Sequence, residues 1–143
     1  MWVITTSRSS RDACSEAYVL DAAAFFAAYQ LYLSTSAYTV KEVIGEVRDA
    51  ESLKNLQLAL SAGKISLDEP SEEHRGRVAR VAEELIKAGR LSKTDLELLA
   101  LASKLLERCG RVVVISDDRA VQKVALKIGA ETVGIKYREL KKR

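Results

Sequence analysis

The sequence has little histidine and cysteine, on which many catalytic and metal sites depend. The single histidine, His74, lies in the charged run "SEEHRGR". We expect it to be a solvated surface residue, which disfavours serine or cysteine nucleophiles that need a histidine base. Cys14 and Cys109 are far apart and form no CxxC pair, so we expect neither a disulfide nor a zinc site between them. Two free thiols in a reduced intracellular setting are the prediction.

Glycine-rich phosphate loops and long apolar segments are absent as well. No GxGxxG or GxxxxGK[ST] pattern occurs, which disfavours nucleotide binding by a glycine loop. No apolar run approaches the roughly 20 residues of a spanning helix, and the first residues lack the apolar core of a signal peptide. The sequence therefore predicts a soluble, cytoplasmic protein without a membrane partner. At 143 residues, the chain has the length of one domain. We place this domain at 17–143, after a lead-in of uncertain order over 1–16.

The charge is close to balanced, with a formal net charge of +3. This bias is too small to indicate a nucleic-acid partner by itself. Basic residues gather in the tail 136–143 and at Arg75, Arg77 and Arg80. These groups could contact phosphates or could form solvated helix faces and a frayed terminus, and the sequence leaves both open.

Hydrophobic periodicity and glycine stops predict alternating strands and helices. Four consecutive aliphatic residues within 111–116 indicate a strand buried on both faces. An alanine-rich helix starts at Asp21, and its apolar stretch "AAAFFAAYQLYL" is a core element or a homodimer face. Thr39 with Glu42 has capping-box spacing and predicts another helix start. The remaining predicted strands are 18–20, 64–67 and 131–135, and the remaining helices are 50–61, 71–88, 93–108 and 118–128. This order predicts an α/β domain with a central, mostly parallel sheet covered by helices.

Acidic residues follow the predicted strands and begin a predicted helix. Asp21 ends the first strand, Asp117 and Asp118 follow the strand 112–115, and Asp95 begins a helix three residues after Ser92. Helix capping explains Asp21, Asp95 and Asp118 individually.

Glu46 stands on the helix after Thr39 and could be a surface glutamate. Taken together, however, the five acids would meet at the carboxyl edge of a parallel sheet without a matching set of basic residues. A divalent cation with hard oxygen ligands, Mg²⁺ or Mn²⁺, is the simplest way to stabilise such a group.

Four sequence blocks resemble the PIN-domain ribonucleases. They are "YVLDAAAF", "YTVKEVIGEVRD", "LSKTDLELLALA" and "VVVISDDRAVQKVA", and they span residues 18–125. Within this family they look most like the archaeal and eukaryotic endonuclease that trims the 3′ end of small-subunit ribosomal RNA. The resemblance implies a three-layer α/β/α fold and Mg²⁺- or Mn²⁺-dependent hydrolysis of single-stranded RNA that leaves a 5′-phosphate and a 3′-hydroxyl.

The resemblance also implies roles for individual residues. Asp21, Glu46 and Asp95 match the first three family acids. Ser116 and Asp118 match the final Ser/Thr-x-Asp/Asn pattern, so Asp117 is the second choice there. The implied catalytic residues are Asp21, Glu46, Asp95 and Asp118; the implied metal ligands are these four and Asp117; Ser92 and Ser116 would orient carboxylates or a phosphate.

Two departures from the maturation endonuclease matter for the function. The chain lacks the two cysteine pairs of the usual zinc ribbon, and Gln122-Lys123 stands where Gln-Asn is usual. A VapC-type toxin ribonuclease and a non-catalytic PIN module that binds RNA or protein are therefore the alternatives. The corresponding partners are single-stranded or ribosomal precursor RNA, a ribosome-assembly protein, and an antitoxin.

Overall fold

A computed structural model describes residues 14–26 and 36–135. Within them, five strands alternate with six helices. In chain order these are β1 Glu16–Leu20, α1 Ala22–Phe26, β2 Ser36–Thr39, α2 Lys41–Glu46, α3 Ala50–Ser61, β3 Ile65–Leu67, α4 Glu72–Leu85, α5 Lys93–Leu106, β4 Arg111–Ile115, α6 Arg119–Ile128 and β5 Glu131–Val133.

The five strands form one parallel sheet in the order β3-β2-β1-β4-β5. The first described strand, β1, lies at the centre, with Leu20 opposite Ile115 of β4. Parallel neighbours need crossover connections, and the intervening helices provide them. The predicted α/β class and parallel sheet are confirmed.

Helices cover both faces of the sheet, which gives three layers. The chain moves from β1 outward to β3 and then back past β1 to β4 and β5. Right-handed crossovers in opposite directions place α1–α3 on one face and α4–α6 on the other. The packing agrees, because α1 contacts α2 and α3, whereas α4, α5 and α6 contact one another.

Helix α5 packs on β1 and β4 and contributes a large share of the buried core. In β4, Val112–Ile115 are at most 1% exposed, so the predicted doubly buried strand is confirmed. Leu98, Leu99, Leu101 and Leu105 of α5 are similarly buried. This core fixes the ends of β1 and β4, and the side chains that follow these strands inherit fixed positions.

Two predicted helix boundaries are confirmed in their side-chain details. Ser92 and Asp95 form a reciprocal capping box at the start of α5. Gly129 ends α6 with a φ of 107°, a left-handed conformation that glycine adopts at no steric cost.

The prediction that Thr39 caps a helix is wrong. Thr39 ends β2, a strand that the sequence reasoning missed, and Val40 takes the N-cap position of α2 without a side-chain hydrogen bond. The Thr39 hydroxyl donates to the carbonyl of Leu20, 2.9 Å away, and the residue is fully buried. A hydroxyl that could cap a helix instead joins two neighbouring strands.

The prediction of two free thiols is also wrong. Cys14 and Cys109 form a disulfide across 95 residues of sequence, with their Cα atoms 4.6 Å apart. Cys14 precedes β1 and Cys109 precedes β4, so the pairing of these strands brings the two cysteines together. The bond removes the basis for inferring a reduced setting from the cysteines.

His74 is not a solvated surface residue. It is 6% exposed and is the third residue of α4. Its Nδ1 lies 2.7 Å from the hydroxyl of Ser71, the N-cap, and its Nε2 lies 3.0 Å from the Glu107 carboxylate. The ring thus completes a capping box and links α4 to the end of α5.

Some predictions fall on residues that the structure does not describe. The apolar helix is seen only as Ala22–Phe26, and 27–35 and the basic tail 136–143 lie outside the described residues. Glu16, which we placed in the lead-in, belongs to β1. In 14–26 and 36–135, no helix is both long and apolar enough to cross a bilayer.

Candidate metal centre at the sheet edge

The crossover direction reverses between β1 and β4, so the loops after these strands leave on opposite faces. In open α/β sheets this reversal creates a crevice beyond the carboxyl ends of the two strands. Asp21 directly follows β1, and Ser116, Asp117 and Asp118 directly follow β4. The predicted acids therefore come together at this crevice.

Asp21 is the most buried carboxylate of this group. Its Oδ1 accepts a hydrogen bond from the backbone N–H of Ala24 at 3.0 Å, and the Ser116 hydroxyl donates to the same carboxylate. Burial is the main cause that raises the pKa of Asp21, and the carboxylates of Asp95 and Asp117 raise it further. The ionised form is therefore destabilised in spite of two hydrogen bonds.

Asp118 caps α6, as the sequence predicts. Its Oδ1 accepts from the backbone N–H groups of Ala120 at 2.8 Å and Val121 at 3.1 Å. Its own N–H donates to the Ser116 hydroxyl at 3.1 Å. Ser116, 1% exposed, therefore contacts both Asp21 and the Asp118 backbone and fixes the two segments relative to each other.

Asp117 points to a different partner from its neighbour. Its Oδ1 accepts from the N–H of Ile135 at 2.7 Å, just past the end of β5. A Cβ on Gly134 would lie 2.8 Å from the same oxygen, so only glycine leaves room for this approach. The adjacent carboxylates are thus separated, one bound at the end of β5 and one at the start of α6. The preference for Asp118 as the main ligand stays a prediction.

Asp95 joins the group from the start of α5. Its Oδ2 accepts from the Ser92 N–H, and its own N–H donates to the Ser92 hydroxyl, both at 3.1 Å. Burial raises the pKa of Asp95, and the negative charges of Asp118 and Glu46 add to the effect. Glu46, exposed at the end of α2, is therefore close enough to act electrostatically on the group.

The described residues supply no cation to four of these acids. No Lys or Arg in 14–26 or 36–135 lies within ion-pairing distance of Asp21, Glu46, Asp95 or Asp118. Nor do any three described His, Cys, Asp or Glu side chains form a ready-made metal-binding group. The acids share a crevice and mutual repulsion rather than a preformed coordination sphere. Unbalanced carboxylate oxygens are nevertheless the donors that Mg²⁺ and Mn²⁺ prefer, so the residues present fit such an ion.

Two residues that support the site were missed or left without a role by the sequence reasoning. Thr39 holds the last carbonyl of β1, one residue before Asp21. The amide of Gln122 donates to the Ser116 carbonyl at 2.7 Å. Its position four residues after the Asp118 cap, on the same helix face, is the signal that could have identified it.

The predicted basic cluster on α4 is largely engaged by protein groups. Arg75 binds the buried carboxylate of Glu97 through Nε at 2.7 Å and Nη2 at 3.2 Å. Arg77 donates to the Ser103 hydroxyl at 3.4 Å. These contacts favour a structural role for both residues over the predicted phosphate contacts.

Comparison with known protein families gives the same assignment as the geometry. The PIN domain of ribonuclease matches residues 18–105. This chain belongs to the PIN-domain ribonuclease family. The matched segment contains Asp21, Glu46 and Asp95, and Asp118 lies beyond its end. The resemblance inferred from the four sequence blocks is confirmed, and with it the three-layer fold.

Similar PIN-domain proteins carry two kinds of name. Ribonuclease VapC3 of Aeropyrum pernix is 38% identical over 92% of this chain and 97% of its own length. Endoribonuclease Nob1 of Pyrococcus abyssi is 37% identical over 87% of this chain and 68% of its own length. The 20S-pre-rRNA D-site endonuclease NOB1 of Saccharomyces cerevisiae is 38% identical over 54% of this chain and 17% of its own length.

Proposed function

We propose that this chain is a Mg²⁺- or Mn²⁺-dependent endoribonuclease that hydrolyses phosphodiester bonds of single-stranded RNA. The observation that carries the proposal is the convergence of Asp21, Asp95 and Asp118 at one crevice. The pKa values of Asp21 and Asp95 are raised there, and no Lys or Arg in 14–26 or 36–135 forms an ion pair with any of the three. Carboxylates in this state are suited to binding an external cation. Membership in the PIN-domain ribonucleases supports the reaction class.

The residues of the site would divide the work. One or two divalent ions would be bound, directly or through water, by Asp21, Glu46, Asp95 and Asp118. Asp117 is the second choice for the position of Asp118. Such an ion supplies Lewis-acid stabilisation of the phosphate charge and makes water a stronger nucleophile at neutral pH. Water adds to phosphorus, the 3′-oxygen leaves and takes a proton, and the products carry a 5′-phosphate and a 3′-hydroxyl.

The hydroxyls of Ser116 and Ser92 would keep the carboxylates in place during this reaction. Ser116 contacts the Asp21 carboxylate and the Asp118 backbone at once, and Ser92 exchanges two hydrogen bonds with Asp95. Supporting contacts of this kind orient ligands and tune their basicity. Because no histidine is needed, the position of His74 in a helix cap is compatible with the enzyme.

The substrate we propose is a small-subunit ribosomal RNA precursor. The relatives named Nob1, including one named for a pre-rRNA site, support this choice. An RNA-processing role also places the protein in the cytoplasm, with a ribosome-assembly protein as a partner.

A VapC-type toxin is the second candidate. The chain covers 97% of the relative named VapC3, and this observation supports the alternative specifically. An antitoxin would then be the partner.

The test is cleavage of a labelled single-stranded RNA spanning the 3′ end of small-subunit ribosomal RNA, with Mn²⁺ or with EDTA. We expect cutting only with metal, and loss of cutting in Asp21→Asn and Asp118→Asn. Glu131→Gln is the matched control, because it removes a carboxylate at the opposite edge of the sheet. If the parent protein binds RNA but cuts none with any divalent ion, the enzyme is rejected in favour of a non-catalytic module.

The position of the cut and a growth assay together separate the two substrate classes. One discrete cut at the mature 3′ end supports ribosomal RNA maturation. Growth arrest on expression of the protein alone, relieved by a co-purifying small protein and abolished by Asp21→Asn, supports the toxin.

A further inference from the structure

A cleft of about 460 Å³ lies between the end of α4 and the start of α6, and four cations line it. Lys87 and Arg90 come from the segment after α4, and Arg119 and Lys123 come from the first turns of α6. Among the described residues, no carboxylate contributes to the lining, and the remaining wall consists of Leu85, Ile86 and Ala120. The cleft therefore combines positive charge with apolar surface.

These four cations differ from the basic residues that form ion pairs within the described chain. Arg75, Lys104, Arg108 and Arg111 each form ion pairs with carboxylates. The cleft cations form none with any carboxylate in 14–26 or 36–135, and all four are exposed. Their charge is thus available to a ligand.

The cleft adjoins the acidic crevice through shared backbone. Arg119 directly follows Asp118, and the N–H of Ala120, which lines the cleft, donates to the Asp118 carboxylate at 2.8 Å. On the other wall, Arg90 stands two residues before Ser92, the cap that holds Asp95. The two walls of the cleft are therefore continuous in sequence with the starts of α6 and α5, where Asp118 and Asp95 lie.

The cations of the cleft offset the repulsion between the acids and an RNA strand. The group of acids that would hold a metal also repels an RNA strand, because both are negatively charged. Four free cations on the adjoining wall offset this repulsion where the strand would enter. Arg119 and Lys123 are one helical turn apart, roughly 6 Å along the axis, which is of the order of the spacing of successive backbone phosphates.

We propose that this cleft binds the sugar-phosphate backbone of the RNA strand next to the bond that is cut. This inference rests on the proposed ribonuclease function. The side chains that would bind the backbone phosphates are Lys87, Arg90, Arg119 and Lys123. The apolar wall would face ribose and base, and contacts of this kind are independent of sequence. Arg75 and Arg77, which the sequence suggested, do not take part.

The experiment measures RNA binding separately from cutting. A fluorescein-labelled single-stranded oligoribonucleotide is titrated with the full chain in EDTA, and its anisotropy is followed at several salt concentrations. The test variant is the double substitution Arg119→Ala with Lys123→Ala. The matched control is Lys54→Ala with Lys64→Ala, since both lysines are exposed, lie outside the cleft and pair with no described carboxylate. Thermal melts of all three proteins verify that they fold.

Each phosphate contact to a single strand contributes about 0.7 to the slope of log affinity against log salt. We therefore expect the test variant to lose about 1.4 from this slope and roughly 25-fold in affinity near 0.1 M salt. The control pair should retain the affinity and slope of the parent.

Three results overturn the proposal: unchanged affinity and slope in the test variant, an equal loss in the control pair, or no RNA binding by the parent. Parallel cleavage assays with Mn²⁺ keep the two proposals apart. If binding depends on the cleft residues but the parent does not cut RNA, the ribonuclease proposal is rejected and the cleft proposal is kept. If the parent cuts RNA but binding does not depend on the cleft residues, the cleft proposal is rejected and the ribonuclease proposal is kept.

Discussion

The two edges of the sheet are built from the same strands but treat charge in opposite ways. At the amino edge, Arg111 at the start of β4 lies between Glu16 of β1 and Glu131 of β5, with N···O distances of 2.5 and 2.9 Å. Hydrogen bonding to Arg111 lowers the pKa of Glu131. The disulfide Cys14–Cys109 joins β1 and β4 at this same edge. At the amino edge, both glutamates are therefore paired with one arginine, and a disulfide links the segments that lead into β1 and β4.

At the carboxyl edge, Asp21 and Asp95 form no ion pair with any Lys or Arg in 14–26 or 36–135. Burial and neighbouring carboxylates raise the pKa values of Asp21 and Asp95. One edge pairs its carboxylates with an arginine, whereas the other holds carboxylates whose ionised form is disfavoured. Shifted pKa values of this kind are typical of functional sites, which is consistent with the function proposed for the carboxyl edge.

The largest expected effect is on the rate of RNA cleavage, and it is shown by comparing two aspartates that lie at helix N-termini, Asp95 and Asp49. Asp49 caps α3, and hydrogen bonds from Ser52 lower its pKa, whereas the pKa of Asp95 is raised. We expect Asp95→Asn to reduce RNA cleavage about a thousandfold or more, since a metal ion supplies several kcal/mol and about 1.36 kcal/mol corresponds to tenfold. Asp49→Asn should leave cleavage within about twofold. Single-turnover rates with Mn²⁺ measure both, and equal rates for the two variants would remove Asp95 from the site.

The next effect is on stability and concerns the disulfide Cys14–Cys109 at the amino edge. Replacing Cys14 and Cys109 by serine should lower the free energy of unfolding by about 2–4 kcal/mol, because the bond closes a long loop in the unfolded chain. Cleavage by the remaining folded protein should be unchanged, since the bond lies at the opposite edge from the acids. Urea denaturation and cleavage at a low temperature provide the two readings. A lost rate in a folded variant would show that the edges are coupled.

A glycine at each edge gives a smaller and more local comparison. A Cβ on Gly134 would lie 2.8 Å from Asp117 Oδ1, and a Cβ on Gly110 would lie 3.3 Å from the Ser15 carbonyl oxygen. Gly134→Ala should displace the Asp117 carboxylate from the Ile135 N–H. The expected destabilisation is about 1–3 kcal/mol, as for a hydrogen-bonding group left without its partner.

Gly134→Ala should also reduce cleavage, because the Asp117 carboxylate moves. Gly110→Ala should affect stability alone. Urea denaturation and single-turnover cleavage of the two variants check this, and an unchanged cleavage rate in folded Gly134→Ala would exclude Asp117 from the metal site.

The smallest effect is in the pH dependence of stability without metal. A carboxyl with a raised pKa in the folded state contributes stability below its unfolded value, and this stability is lost as the pH rises through the folded value. Asp21→Asn should therefore be more stable than the parent at pH 7, and the gain should vanish below about the ordinary value of 3.8.

Glu131→Gln should show the opposite sign. The lowered pKa of Glu131 means that its contribution is present above the ordinary value of 4.5 and is lost as the pH falls. Urea denaturation in EDTA from pH 3 to 7 compares the variants. If Asp21→Asn is less stable than the parent at pH 7, the ionised Asp21 carboxylate does not destabilise the fold.

The sequence predicts the fold wherever the signal is local. The aliphatic run of β4, the Ser92–Asp95 capping box and the glycine after α6 depend on residues close in the chain, and all three are confirmed. Asp21 and Asp118 were placed correctly because each directly follows a recognisable strand. Their roles in metal binding stay predictions.

Contacts between distant residues could not be predicted in this way. Thr39 has capping-box spacing with Glu42, yet its hydroxyl bonds a carbonyl 19 residues earlier. The two cysteines come together only because β1 pairs with β4. In each case the decisive partner is set by the sheet, and local pattern does not reveal strand order.

The position of β1 also affects the order in which the fold assembles. The central strand β1 pairs with β4, which follows about 95 residues later in the chain. During synthesis β1 can pair with β2 early, whereas Asp21 meets Asp117 and Asp118 only once β4 has been made. Such long-range pairing forms slowly relative to local structure. The crevice that gathers the acids is therefore among the later parts of the described fold to form.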